Sequence, residues 1–129
     1  MKRLLSIALV VFPVFSHAEC LLVSELRGQS VREEAEGYVF SNDGFSAQTF
    51  EVNFDSKNSS VTPSNMKCQR ISDWSLLCTD IRDKQATVET WVVNPVLSKA
   101  FHTKSISGYG PYDGGNLFVG TVVGKCKPR

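Results

Sequence analysis

The sequence has few of the residue types that carry catalysis or metal binding. Histidine occurs only at positions 17 and 102, and the four cysteines form no Cys-x-x-Cys pair. Structural zinc sites use such closely spaced ligands. No Gly-x-Ser-x-Gly motif offers a nucleophile, and no glycine-rich segment carries the lysine of a phosphate-binding loop. We therefore expect no metal, no cofactor and no motif-based catalytic residue.

The sequence also lacks an excess of positive or negative charge. Fourteen lysine and arginine residues face thirteen aspartate and glutamate residues, a formal net charge of +1. A nucleic-acid-binding domain would present a basic patch, and no basic cluster occurs in this sequence. We therefore expect no nucleic-acid partner.

The one long apolar run lies at the N-terminus. Lys2 and Arg3 precede an apolar segment at residues 4–15, and small residues then lead to Ala18. Basic, apolar and small-residue regions in this order predict a signal peptide at residues 1–18. The apolar segment is shorter than the roughly twenty residues that span a bilayer, which makes a retained membrane anchor the weaker alternative.

Glu19 stands directly before Cys20, where lipoprotein processing would need a small residue. We therefore expect no lipid or membrane anchor after cleavage. Residues 19–129 are long enough for a single domain, which we predict to be exported and periplasmic or secreted.

All four cysteines lie in the mature domain, and an even number in a small exported domain predicts two disulfides. Cys68 and Cys78 lie symmetrically about a predicted turn, which favours a Cys68–Cys78 bond. Cys20 and Cys126 would then tie the two ends together. Two other pairings remain open.

Strand signals dominate the mature sequence. Predicted strands cover residues 38–40, 45–54, 66–71, 74–79, 86–93, 99–107 and 117–126. Asp43-Gly44 predicts a tight turn between the first two of them, and residues 55–65 are expected to form a loop. Residues 30–36 are the one helical candidate, for which a turn or loop is equally compatible. This pattern predicts an all-β domain, a small antiparallel barrel or a two-sheet sandwich of about six or seven strands.

Titratable residues give little sign of an active site. His102 and Trp91 lie on predicted strands, where packing explains them better than chemistry. A pair of carboxylates can hydrolyse glycosides, but solvated surface explains the acidic candidates better. These candidates are Glu33, Glu34, Glu36, Asp73, Asp80, Asp83 and Asp113.

Aromatic residues near two turns are the best candidates for partner binding. Tyr109 and Tyr112 flank Pro111 in a glycine-rich turn at residues 108–115, and Trp74 adjoins another predicted turn. Aromatic side chains on a stiff loop bring contact area at low entropic cost. The candidate residues are Ser107, Tyr109, Tyr112 and Trp74. In the alternative interpretation a tyrosine packs across the end of the barrel, or Trp74 caps the core.

The segment Ser107-Gly108-Tyr109 resembles the Ser-Gly-x-x-Tyr loop of periplasmic C-type lysozyme inhibitors, which are small β-barrels that block a lysozyme cleft. The likeness covers about five residues and departs in spacing, because Tyr109 follows Gly108 directly and Tyr112 comes four residues after it. It implies that Ser107, Tyr109 and Tyr112 face a partner enzyme.

These observations predict a non-enzymatic binding or inhibitory protein with a protein partner, for example one that protects against a cell-wall hydrolase or a toxin. One alternative is a carrier of a small apolar ligand inside the barrel. The second alternative is a hydrolase that relies on carboxylates.

Overall fold

Nine strands make up the part of the chain that the computed structural model describes, residues 19–45 and 47–128. The predicted six or seven strands were therefore too few, and the predicted signal peptide lies outside the described residues. The strands are β1 Cys20–Glu34, β2 Gly37–Phe45, β3 Phe50–Asn53, β4 Ser60–Thr62, β5 Lys67–Ser72, β6 Ser75–Arg82, β7 Gln85–Asn94, β8 Lys99–Ser107 and β9 Gly114–Lys125. A 3₁₀ turn, Gly110–Tyr112, lies between β8 and β9.

One antiparallel sheet contains all nine strands. Eight of them follow the order β4-β3-β1-β9-β8-β7-β6-β5, and β2 lies off this path. β2 pairs with the second half of β1, beyond the residues that pair with β3. Because β4 and β5 approach each other, the sheet curls into a nearly closed barrel. The prediction of an all-β antiparallel fold is confirmed, and the barrel describes it better than the sandwich.

Both disulfides have the predicted connectivity. Cys68 and Cys78 are directly opposite in the β5–β6 pair, with their Cα atoms 4.0 Å apart. Cys20 bonds to Cys126, and the Cys126 amide also donates a hydrogen bond of 3.0 Å to the Cys20 carbonyl. The second bond is possible because the first and last strands are neighbours in the sheet.

The sequence did not predict β1, because a bulge breaks the alternation of buried and exposed residues along it. Glu25 has a φ of 59°, and the ladder to β9 shifts register between Ser24 and Arg27. The buried positions change phase there, from Val23 to Leu26. A bulge of this kind places two residues against one, so a pattern of period two does not continue across it.

Two further predictions on this part of the fold were wrong. Residues 30–34 are not a helical turn or a loop but the end of β1, which pairs there with both β2 and β9. Residues 55–65 are not wholly a loop, since Ser60–Thr62 form β4 against β3. Residues 30–34 are mostly polar because the barrel is open to solvent there, and β4 has only three residues. Neither segment therefore shows the pattern of a strand.

The predicted hairpin around Asp43-Gly44 was also wrong. β2 runs through both residues without a turn, and Gly44 lies opposite Arg27. A Cβ on Gly44 would lie 2.4 Å from the Leu26 carbonyl oxygen, so glycine here permits a close approach of two backbones. The turn falls instead at residues 35–36, before Gly37 with its φ of +119°.

The core fills one half of the barrel. Phe50, Val52 and Phe54 point inwards as predicted, and Trp91 is fully buried among them. The other large side chains that are fully buried include Phe118, Leu26, Leu76, His102, Val23 and Val61. Side chains of this size close the barrel interior on the side of the two chain ends.

Candidate functional site

The two ends of the barrel differ. We call the end with the Cys20–Cys126 bond the closed end; it also carries the β5–β6 and β7–β8 turns. The opposite, open end carries the β6–β7 turn and the β8–β9 connection, because neighbouring strands run antiparallel. At this end β2 pairs with β1 on the side away from β9, and it has no further strand beside it within residues 19–45 and 47–128. Its residues from Gly37 to Gly44 are all exposed.

A cavity of about 350 Å³ lies between the core and the open end. Its apolar lining comes from Phe45, Phe50, Val61, Met66 and Trp91. Its polar lining comes from Gln48, Ser64, Asp80, Thr87, Glu89, His102 and Lys104. The cavity is therefore floored by aromatic rings and flanked by charged groups of both signs.

Glu89 is the centre of the charged groups, and its side chain is almost wholly buried. Its Oε2 lies 3.5 Å from His102 Nε2 and accepts a hydrogen bond of 3.3 Å from Trp91 Nε1. Its Oε1 lies 3.4 Å from Lys104 Nζ. Burying a carboxylate is costly unless it is paired and hydrogen-bonded, and these three neighbours provide that compensation.

The electrostatics of Glu89 follow from the same contacts. Burial alone opposes ionisation, but His102, Lys104 and Trp91 together outweigh it and hold the pKa of Glu89 below its usual value. The His102 ring packs against the Trp91 ring at an interplanar angle of 48°, with centroids 4.3 Å apart. Its Nδ1 is buried without a hydrogen-bond partner among the described residues. This cluster is thus an ionised carboxylate held in place by fixed donors.

The sequence did not single out Glu89 or Lys104. One signal could have found Glu89: it lies on the same strand face as Trp91. A charged residue at a core-facing position needs hydrogen-bond or ion-pair partners. Which partners it finds depends on the β7–β8 register, which places Trp91 opposite His102 and Glu89 opposite Lys104.

Asp80, one of the acidic residues considered for hydrolysis, lines the same cavity as Glu89. Both of its carboxylate oxygens accept hydrogen bonds from Arg82, at 3.0 and 2.9 Å. Glycoside hydrolysis needs one carboxyl group that holds a proton. Glu89 does not favour such a group, because its neighbours hold its pKa below the usual value.

The connection between β8 and β9 carries the predicted tyrosines at the open end. Asp113 accepts two backbone hydrogen bonds, from the amides of Gly108 at 3.0 Å and Tyr109 at 2.7 Å. Gly108 has a φ of +85°, and a Cβ there would lie 2.1 Å from the Lys84 carbonyl oxygen. The two hydrogen bonds fix the loop internally, and Gly108 packs closely against the β6–β7 turn at Lys84.

The four predicted partner-binding residues do not form one surface. Tyr112 is 74% exposed, Tyr109 is half-buried and Ser107 is exposed, all at the open end. Trp74 lies at the closed end, where its ring contacts Phe54 at a centroid distance of 5.6 Å. Its carbonyl oxygen also accepts a hydrogen bond of 2.9 Å from the Val93 amide. Trp74 thus packs over the end of the core.

The chain matches no protein-family model, no curated protein and no solved structure. The interpretation of the site therefore depends on its own geometry. Within residues 19–45 and 47–128, no helix is long and apolar enough to cross a membrane. In the same residues no group of three or more histidine, cysteine, aspartate or glutamate side chains is arranged to hold a metal ion.

Proposed function

We propose that the mature chain is an exported, non-catalytic binding protein that recognises a protein partner through the open end of its barrel. The observation that carries this proposal is the exposed side chain of Tyr112 on a loop whose backbone is fixed. Two disulfides support an oxidising compartment, in agreement with the predicted signal peptide.

The loop suits recognition because little of its freedom is left to lose on binding. Asp113 fixes two amides, Pro111 restricts the 3₁₀ turn, and Gly108 abuts the neighbouring turn. Binding costs affinity wherever a segment must first be ordered. A tyrosine on an ordered loop therefore loses little of its binding free energy to the cost of ordering the loop. Such a loop could block the cleft of a cell-wall hydrolase or a toxin.

Binding of a small molecule is the second candidate, and the cavity of about 350 Å³ favours it. This volume lies at the lower end of the range of about 300–1,000 Å³ for ligand pockets. Glu89, Lys104 and Asp80 in the lining favour a ligand with polar groups over the purely apolar one expected from the sequence. A hydrolase that relies on carboxylates has less support, because Glu89 and Asp80 are both paired with cations.

Affinity capture from the native cell envelope tests the protein-partner proposal. The mature chain, Tyr112→Ala and the matched control Leu97→Ala would serve as baits; Leu97 is 66% exposed in a turn at the closed end. Tyr112→Ala should weaken binding of the captured partner about thirtyfold, as truncation of a central interface tyrosine commonly does. Its melting temperature should match that of the parent, and Leu97→Ala should bind normally.

Two results would contradict the proposal. If Tyr112→Ala and Tyr109→Ala both melt well below the parent, the loop is a packed lid on the barrel. If both variants are stable and bind the partner as tightly as the parent, the contact surface lies elsewhere, and the turn at Trp74 becomes the next candidate.

A further inference from the structure

β2 presents a long strand edge that is open to solvent. It pairs with β1 along one edge, and no other strand among the described residues pairs with its second edge. Residues Gly37 to Gly44 are all exposed. A free edge leaves a row of backbone N–H and C=O groups without strand partners, which is a template for the addition of another strand.

This edge lacks the features that usually block strand addition. The nine residues of β2 include no lysine, arginine or proline, and its ladder to β1 runs without a register shift. Its one charged residue, Asp43, accepts hydrogen bonds from Ser30 and from the Gly44 amide, both at 2.8 Å. The sheet order ends in two other edge strands, and both are shorter: β4 has three residues, and β5 has six and carries Lys67 and Arg70. Among the strands of the described residues, only β2 has a long, regular edge without a lysine, an arginine or a proline.

The inner face of β2 leads to the cavity. Asp43 contacts the buried Ser30, so Val39, Ser41 and Phe45 point to the same side of the strand by alternation. Phe45 lines the cavity, and so do Met66, which precedes β5, and Asp80 of β6, the two strands at the far end of the sheet order. A strand added beside β2 would continue the barrel wall across this opening. Every second side chain of it would point towards the aromatic floor.

From these observations we infer that an extended segment of the partner protein adds to the free edge of β2 as an antiparallel or parallel strand and places an apolar side chain against the aromatic rings of Phe45, Phe50 and Trp91 in the cavity, while its polar main chain faces the charged lining. Main-chain hydrogen bonds supply affinity in this mode, and pockets for alternate side chains supply specificity. The inference rests on the proposed function in requiring a protein partner, but it uses a different part of the open end from the tyrosine loop.

A second copy of this chain fits the edge less well. Pairing β2 with β2 of another copy about a two-fold axis at Ser41 would place that copy's Gly37, Val39 and Ser41 nearest the Phe45 end of the edge, where the cavity opens. These residues are small, whereas the floor formed by Phe50 and Trp91 is aromatic. A foreign segment with a large apolar residue at an inward position complements that floor better.

Selection from a phage library of random nine-residue peptides, the length of β2, tests this inference on the mature chain. The selected peptides should alternate apolar and polar residues, and bound peptide should slow amide hydrogen exchange in Gly37–Phe45. Val39→Lys places a charge beside the open edge, which is how natural edge strands block strand addition, and should raise the Kd of these peptides about tenfold or more. Val123→Lys is the matched control, since both valines are exposed on strands, at 43% and 54%.

Tyr112→Ala should leave peptide binding unchanged, so that a failure of the loop proposal and a failure of the edge inference give different results. The inference is overturned if no peptide is selected, if Val39→Lys binds as tightly as Val123→Lys, or if the protection falls outside β2. It is equally overturned if the chain forms a dimer in light scattering that Val39→Lys dissociates, because a second copy then occupies the edge.

Discussion

The Cys20–Cys126 disulfide should stabilise the domain more than the Cys68–Cys78 disulfide does. The bonded residues are 106 positions apart in the first case and 10 in the second. In the chain-entropy model, closing these loops in the unfolded chain is worth about 5 and about 3 kcal/mol respectively at 25 °C. Either value is a large part of a total stability of about 5–15 kcal/mol.

The comparison needs variants in which only one bond is present. Cys78 is fully buried in the core, so replacing it also removes packed atoms, and wild type is an unsuitable reference. The Cys68→Ala/Cys78→Ala variant keeps only the long loop, and the Cys20→Ala/Cys126→Ala variant keeps only the short one. For each variant, urea unfolding with and without a reducing agent gives the free energy that its one remaining bond contributes.

Reduction should cost the variant with the long loop about 2 kcal/mol more than the variant with the short loop. Equal losses would refute this reasoning. They would mean that the two ends already lie close together in the unfolded chain, for example through residual pairing of β1 with β9.

Three other outcomes are expected. Glu89→Gln should lower the free energy of unfolding by about 3 kcal/mol at neutral pH, because it disrupts a buried charge cluster. Since the pKa of Glu89 is lowered in the folded chain, this deficit should shrink as the pH falls below the ordinary value of 4.5; urea titrations in which it stays constant would disprove the link. Gly108→Ala should destabilise the chain by about 1–3 kcal/mol through strain at positive φ and a clash with Lys84, and thermal melts should show a smaller loss for Gly110→Ala, which has open space around it. Intact mass of envelope-purified protein should correspond to a chain that begins at Glu19, and a lipid adduct on Cys20 would contradict the predicted processing.

Properties that depend on short stretches of chain followed from the sequence. Residues 86–93 and 99–107 carry strand signals between turn signals, and they form β7 and β8 with nearly the predicted bounds. The positions of Cys68 and Cys78 about one turn were enough to predict their bond, and the other pair followed by elimination. These predictions succeeded because neighbouring strands joined by short turns pair with each other and need no distant partner.

The tertiary structure decided what depends on distant segments. β1 pairs with β9 on one edge and with β2 and β3 on the other. This pairing makes the polar residues 30–34 part of a strand, and it keeps Asp43-Gly44 extended. The same closure separates Trp74 from Tyr112 at opposite ends of the barrel. It also buries Glu89 beside His102 and Lys104. A local pattern records whether a residue faces the core, but the identity of its neighbours there is set by the order and register in which the sheet closes.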